Sequence, residues 1–134
     1  MSDGEIQVAI NSDQDIVSAR QRGRAMANEL GFSSGDATLI ATAISELARN
    51  IVAYARRGRI TLNAVNGMNR QGISVTASDD GPGIPDIAQA LRDGFSTSGS
   101  LGLGLPGVRR LVDEFEITSR PGRGTTVVVK KWRQ

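Results

Sequence analysis

Residues 73–86, Ile-Ser-Val-Thr-Ala-Ser-Asp-Asp-Gly-Pro-Gly-Ile-Pro-Asp, carry the chain from an alternating strand straight into a glycine turn that opens on two carboxylates. Ile73, Val75 and Ala77 repeat at every second position, the period of a strand with one buried face. Gly81 and Gly83 let the backbone turn tightly and approach a flat ligand with no Cβ in the way. Asp79, at the strand end, is an acceptor suited to an exocyclic amine such as that of adenine. Asp-Gly and Pro-Gly also form ordinary type I or II turns, so the stretch takes its meaning from what flanks it.

Upstream, Ile60, Leu62 and Ala64 alternate in a partner strand, joined to the first through a polar hairpin at Asn66-Gly67. Before that strand, Ile40, Ile44, Leu47 and Ile51 recur at helical spacing on a helix begun by Ser33 or Ser34 and stopped by Gly58. Glu46 and Asn50 lie one turn apart on a face offset from that stripe. A carboxylate and an amide so placed suit a proton acceptor and an oxygen ligand for a metal; they equally suit a solvated helix face. An earlier helix spans about residues 14–30 after a first strand at 5–10. Ser12 or Asp13 caps it, Gly31 ends it, and Ile16, Ala19, Gly23, Ala27 and Leu30 form its inner stripe.

Downstream, Gly94-Phe95-Ser96-Thr97-Ser98-Gly99-Ser100-Leu101-Gly102-Leu103-Gly104-Leu105-Pro106-Gly107 leads into a helix over about 105–114. Pro106 falls early in that helix, where a missing N–H costs nothing; Val108, Leu111, Val112 and Phe115 form its buried side. The loop's glycines and hydroxyls precede a helix N-terminus, whose free N–H groups and positive dipole end suit phosphate. Residues 116–120 and 125–132 close the chain as a hairpin across Pro121-Gly122-Arg123-Gly124. The order β-α-α-β-β-(glycine loop)-α-β-β predicts an α+β, two-layer α/β sandwich, a mixed sheet with its helices on one face. One domain over residues 1–134 accounts for the whole chain.

Composition narrows the chemistry. The chain has 134 residues with 16 Lys+Arg, 14 Asp+Glu, no His and no Cys, for a net charge of +2. That excludes a Ser-His-Asp triad, a phosphohistidine intermediate, a thiolate nucleophile and a Cys/His zinc site, leaving hard cations such as Mg²⁺ held by oxygens. The arginines cluster only in interrupted runs (Arg20, Arg22, Arg24; Arg56, Arg57, Arg59) and aromatics make up 4% of residues, which argues against nucleic-acid binding. No apolar stretch is long enough for a membrane span or a signal core, so the expected location is the cytoplasm. Gly102-x-Gly104-x-x-Gly107 matches the dinucleotide fingerprint but opens no βαβ unit. The only lysines are Lys130 and Lys131, which rules out a P-loop and a kinase of the eukaryotic type.

Glu-x-x-x-Asn on a helix, Asp-x-Gly-x-Gly after a strand, a glycine loop opening a helix and Gly124-Thr125-Thr126 beginning a strand together resemble the Bergerat (GHKL) ATP-binding fold. Within that superfamily, SELARNI (45–51), DDGPGIPD (79–86), DGFSTSG (93–99) and GLGLPGVRRLVDEF (102–115) are similar to the RsbT-like switch kinases of bacterial stressosomes, relatives of the RsbW and SpoIIAB anti-sigma kinases. The resemblance implies Mg²⁺ on Asn50 and general-base work for Glu46. It implies adenine recognition by Asp79 with Gly81 and Gly83 closing on the ring, and support of Asp79 by a Thr125 hydroxyl or a water. It implies a lid over residues 94–104, with Ser98, Gly99, Gly102, Leu103, Gly104 and Gly107 around the phosphates of ATP or ADP. It also implies STAS-domain proteins of the RsbS and RsbR kind as substrates and scaffold, and a PP2C-type, RsbU-like phosphatase as downstream target. The alternatives are an anti-sigma kinase that binds a sigma factor and a docking module that keeps ATP as a structural cofactor. Pairing of two copies through the first helix or strand stays open.

Overall fold

A computed structural model describes residues 5–84 and 104–133. Strand β1 (Ile6–Ile10) is followed by helices α1 (Asp13–Glu29) and α2 (Ser34–Asn50) and a π-helical turn (Ile51–Ala55). Then come β2 (Gly58–Gly67), β3 (Arg70–Asp79), helix α3 (Gly104–Leu111), β4 (Glu114–Arg120) and β5 (Gly124–Trp132). The five strands form one sheet in the order β1-β2-β3-β5-β4.

The sheet is antiparallel at every pairing, which corrects the expected mixed sheet. Two helices separate β1 from β2, so the chain re-enters at the end where it left and the strands oppose. A single helix separates β3 from β4, which would align them in parallel, but β5 lies between the two. The α+β layering with helices on one face stands.

Burial on one side follows the sequence pattern. Ile60 and Leu62 on β2, Ile73, Val75 and Ala77 on β3 and Val127 and Val129 on β5 are buried, together with Ile10 on β1. Against them pack Ile16, Ala19, Met26 and Ala27 of α1, Ile40, Ile44, Leu47 and Ala48 of α2, and Leu105 and Val108 of α3. Leu30, Leu111, Val112 and Phe115 are only partly buried at its margin. The Ser33 hydroxyl accepts from Asp36 N at 3.1 Å and so caps α2. At the start of α1 the Asp15 carboxylate accepts from Asn11 N at 2.8 Å and Ser12 N at 3.2 Å.

Three boundaries differ from expectation. The β2–β3 turn falls at Met68-Asn69, not Asn66-Gly67, because the inward pairs Ile60↔Ala77 and Leu62↔Val75 set a register whose last pair is Gly67↔Arg70. Asn69 adopts φ 62° to close that turn. The second helix ends through the π turn and Arg56 at φ 71°, and Gly58 is the first residue of β2. Helix α3 stops at Leu111 because Asp113 already joins the sheet: its N–H donates to Lys130 O at 2.9 Å and its carboxylate accepts from Trp132 N at 2.7 Å.

The open face of the sheet carries one aromatic cluster at its far end. Trp132 Nε1 donates to Glu114 Oε2 at 2.6 Å, and Arg70 lies 4.0 Å from the Trp132 ring centroid. No helix among the described residues is long and apolar enough to cross a membrane.

The burial pattern makes a direct prediction. Leu62→Ala, at a fully buried position, should lower unfolding free energy by about 2–5 kcal/mol, whereas Met68→Ala in the exposed turn should stay within about 0.5 kcal/mol. Urea unfolding of the two variants checks the contrast, and equal values would contradict the described core.

Candidate nucleotide site

Helix α2 delivers Glu46 and Asn50 from its last turn. Glu46 is only 5% exposed, although its neighbours on the helix bury apolar surface. Its Oε1 accepts from Arg49 Nη1 at 2.6 Å, an i,i+3 pair in which the Arg49 side chain is 41% exposed. Asn50 is half-buried and ends the helix. The π turn that follows is a form often found where a helix has been bent for function. Burial raises the pKa of Tyr54 on that turn.

Asp79 ends β3, where three strands meet: it is paired with Gly58 on β2 and with Thr125 on β5. Its Oδ1 accepts from Gly81 N at 2.9 Å and from Thr125 N at 3.3 Å. The Thr125 contact is therefore made by the main-chain amide. The threonine hydroxyl, one of the two routes expected to Asp79, lies 2.8 Å from Ser119 Oγ. Among the described residues the hydrogen bonds of the Asp79 carboxylate all fall on Oδ1, shared between the loop and β5.

The two loop glycines serve the protein's own packing. A Cβ on Gly81 would stand 2.6 Å from Ala55 Cβ on the π turn, and one on Gly83 would strike the Arg120 carbonyl oxygen. Beside the expected opening for a flat ligand, the glycines let the loop lie against the π turn on one side and the end of β4 on the other. Gly122 N donates to Pro82 O at 2.8 Å, and Ile84 N donates to Ser119 Oγ at 2.7 Å. The loop is thus held at both ends, and through Ala55 it abuts the segment that carries Glu46 and Asn50.

Helix α3 supplies the third component. Gly104 begins it at φ 62°, and Leu105, Pro106, Gly107 and Val108 are buried. The first four amides of a helix lack intrahelical acceptors. Pro106 has no N–H, so the donors of this first turn without an intrahelical acceptor are, among the described residues, Gly104 and Leu105, aligned with the positive dipole end. Ser98, Gly99, Gly102 and Leu103, and the lid up to Gly104, lie outside the described residues.

Two participants were not named as site residues by sequence reasoning. Arg49 carried a usable signal, since a cation three residues after a carboxylate meets it on a helix. Ser119 carried none: it bonds Ile84 across 35 residues of chain and nothing in its own neighbourhood marks it. Among the described residues no group of three or more acidic, His or Cys side chains is placed to hold a metal ion.

Comparison with known proteins agrees with this architecture. Residues 35–134 match the family described as histidine kinase-, DNA gyrase B-, and HSP90-like ATPase. The serine/threonine-protein kinase RsbT of Bacillus subtilis (strain 168) is 54% identical over 125 residues, covering 93% of this chain and 94% of that protein. An anti-sigma F factor of Thermoanaerobacter sp. (strain X514) is 30% identical, covering 92% of this chain and 89% of that one. Among solved structures, the RsbU and RsbW domains of a Mycobacterium tuberculosis protein superpose with TM-score 0.66 at 20% identity, covering 97% of this chain and 33% of that one. The mycobacterial sensor histidine kinase MprB superposes with TM-score 0.58 at 17% identity, covering 97% and 98%. At those identities the structures speak for the fold, whereas the sequence matches speak for descent. The chain belongs to the histidine kinase-, DNA gyrase B- and HSP90-like ATPases, on the branch of the RsbT-like serine/threonine-protein kinases.

Proposed function

We propose that the chain transfers the γ-phosphoryl group of ATP to a serine or threonine hydroxyl of a STAS-domain protein in a stressosome, and on release binds and activates a PP2C-type phosphatase. The observation that carries the catalytic half is the joining of two chemistries by one contact. The Asp79 loop packs through Gly81 on Ala55, five residues beyond the helix end that bears Glu46 and Asn50.

In this reading Asp79 Oδ2 accepts from the adenine amine while Oδ1 keeps the loop in place. The first turn of α3, with Gly104, Leu105 and Gly107, faces the phosphates, joined by Ser98, Gly99, Gly102 and Leu103 from the lid. Asn50 offers one amide oxygen to Mg²⁺. A single protein oxygen fits that ion, which keeps several waters and takes most of its remaining ligands from the phosphates. Mg²⁺ bound there would neutralise charge on the phosphates. Glu46 takes the hydroxyl proton as the oxygen bonds to the γ-phosphorus, and the bond to the β–γ bridging oxygen breaks with its electrons leaving on ADP. Most of the acceleration comes from positioning and charge neutralisation, with a modest share from the base.

Similarity to anti-sigma F factors at about 30% identity favours one second reading, a kinase that holds a sigma factor. Transfer of label from ATP to the STAS-domain protein with Mg²⁺ present, and retention of a phosphatase on the immobilised chain, support the first. Retention of a sigma factor without transfer to a STAS-domain protein would replace it with the second.

Two substitutions test the roles. Asp79→Asn can keep an oxygen toward Gly81 and Thr125 while turning a donor toward the adenine amine, so ADP binding should weaken by about 1–3 kcal/mol, or roughly 5- to 150-fold. Unchanged affinity by calorimetry would remove Asp79 from the adenine site. Glu46→Ala should leave nucleotide affinity within a few-fold and slow phosphotransfer by about 10²–10⁴; single-turnover transfer at the wild-type rate would place the base elsewhere.

A further inference from the structure

Two ion pairs occur among the described residues, and they differ in kind. Arg70 and Glu114 stand 3.9 Å apart with both side chains about half exposed, whereas Arg49 and Glu46 stand 2.6 Å apart with the Glu46 side chain at 7% exposure. Exposed pairs contribute little. A buried carboxylate, by contrast, is costly without a partner that compensates its charge and satisfies its oxygen. Arg49 is that partner, reaching inward from a 41% exposed position on the same helix.

The bond is to Oε1 alone. The carboxylate is planar, so a short bond from Nη1 that holds Oε1 sets the direction of Oε2 as well. Arginine itself has no acceptor and stays protonated, so it cannot take the hydroxyl proton in Glu46's place. We infer that Arg49 is a positioning residue for phosphoryl transfer: it anchors Oε1 of Glu46 and thereby holds Oε2 toward the acceptor hydroxyl. This inference rests on the reading of Glu46 as the base. It also gives a reason for arginine at this position, since a lysine ammonium on a flexible stem supplies the charge but not the plane.

Single-turnover transfer from ATP to the STAS-domain acceptor, with ADP and ATP affinities measured in parallel, is the test. Arg49→Ala should slow transfer about 10- to 100-fold, the scale of misplacing a reacting group by about an ångström, with nucleotide affinity within threefold. Arg49→Lys should recover part of the loss. In a Glu46→Ala background, Arg49→Ala should cost nothing further, because there is no carboxylate left to position. Wild-type turnover in Arg49→Ala alongside a slow Glu46→Ala would overturn the inference and spare the base. An equal loss in both backgrounds would also overturn it, since Arg49 would then act independently of Glu46. A Glu46→Ala protein that transfers normally would instead sink the reading on which the inference stands. Should Arg49→Ala fail to fold, judged by thermal unfolding, Arg49→Gln decides: it keeps planar N–H donors without the charge and should fall between Ala and wild type in rate, and a rate equal to wild type would overturn the inference.

Discussion

At Gly124 the backbone, at φ 89°, passes so close to the Asp79 carbonyl that any Cβ would collide with it. This approach lets the first amides of β5 reach the aspartate: Thr125 N donates to Oδ1, as Gly81 N does from the other side. Asp79 is paired on one flank with Gly58 and on the other with Thr125. Its carboxylate therefore stands at a junction of three strands, held by a strand amide on one side and a loop amide on the other. The loop then continues the chain of contacts to Ala55 and the end of α2. A residue with a side chain at position 124 would separate β5 from Asp79 and release both its carboxylate and the loop that packs on Ala55.

The elements that bury one face were legible, because alternation on β2 and β3 and the four-three-four spacing on α2 are each the direct image of that burial. Where two local signals competed, the longer-range one prevailed. Asn66-Gly67 is a strong hairpin dipeptide, yet the pairs Ile60↔Ala77 and Leu62↔Val75 carry the turn to Met68-Asn69, because a slip in register would turn every inward side chain outward. The mixed sheet failed for a related reason. Strand direction depends on which strand β5 pairs with, and its pairing with β3 is fixed by tertiary packing that no local spacing records.

In the candidate site the same division holds. Glu46, Asn50 and Asp79 were readable as chemistry at a helix end and a strand end. What holds them was readable only in part: Thr125 was expected beside Asp79 from the resemblance, but its main-chain amide as the donor was not. Thr125 reaches Asp79 across 46 residues, and Ser119 reaches Ile84 across 35. Gly81 and Gly83 were singled out for a ligand, and the structure adds a packing demand at both: a Cβ would meet Ala55 at one and the Arg120 carbonyl at the other. A ligand-binding motif and a packing motif select the same residue when the loop must be thin on both sides.

One electrostatic problem ties these pieces together. A kinase of this kind has to bring a carboxylate and a polyanionic nucleotide into one cleft without a phosphate-binding lysine, since both lysines sit on β5. Main-chain amides at the start of α3 supply donors and a partial positive charge. Arg109 and Arg110 occupy the last turn of that helix, where they favour the dipole from its other end. Arg49 beside Glu46 is the full positive charge at the carboxylate itself. It offsets the repulsion at that carboxylate and does so from the same helix, three residues away, so that carboxylate and counter-charge keep their relation however the rest of the cleft rearranges.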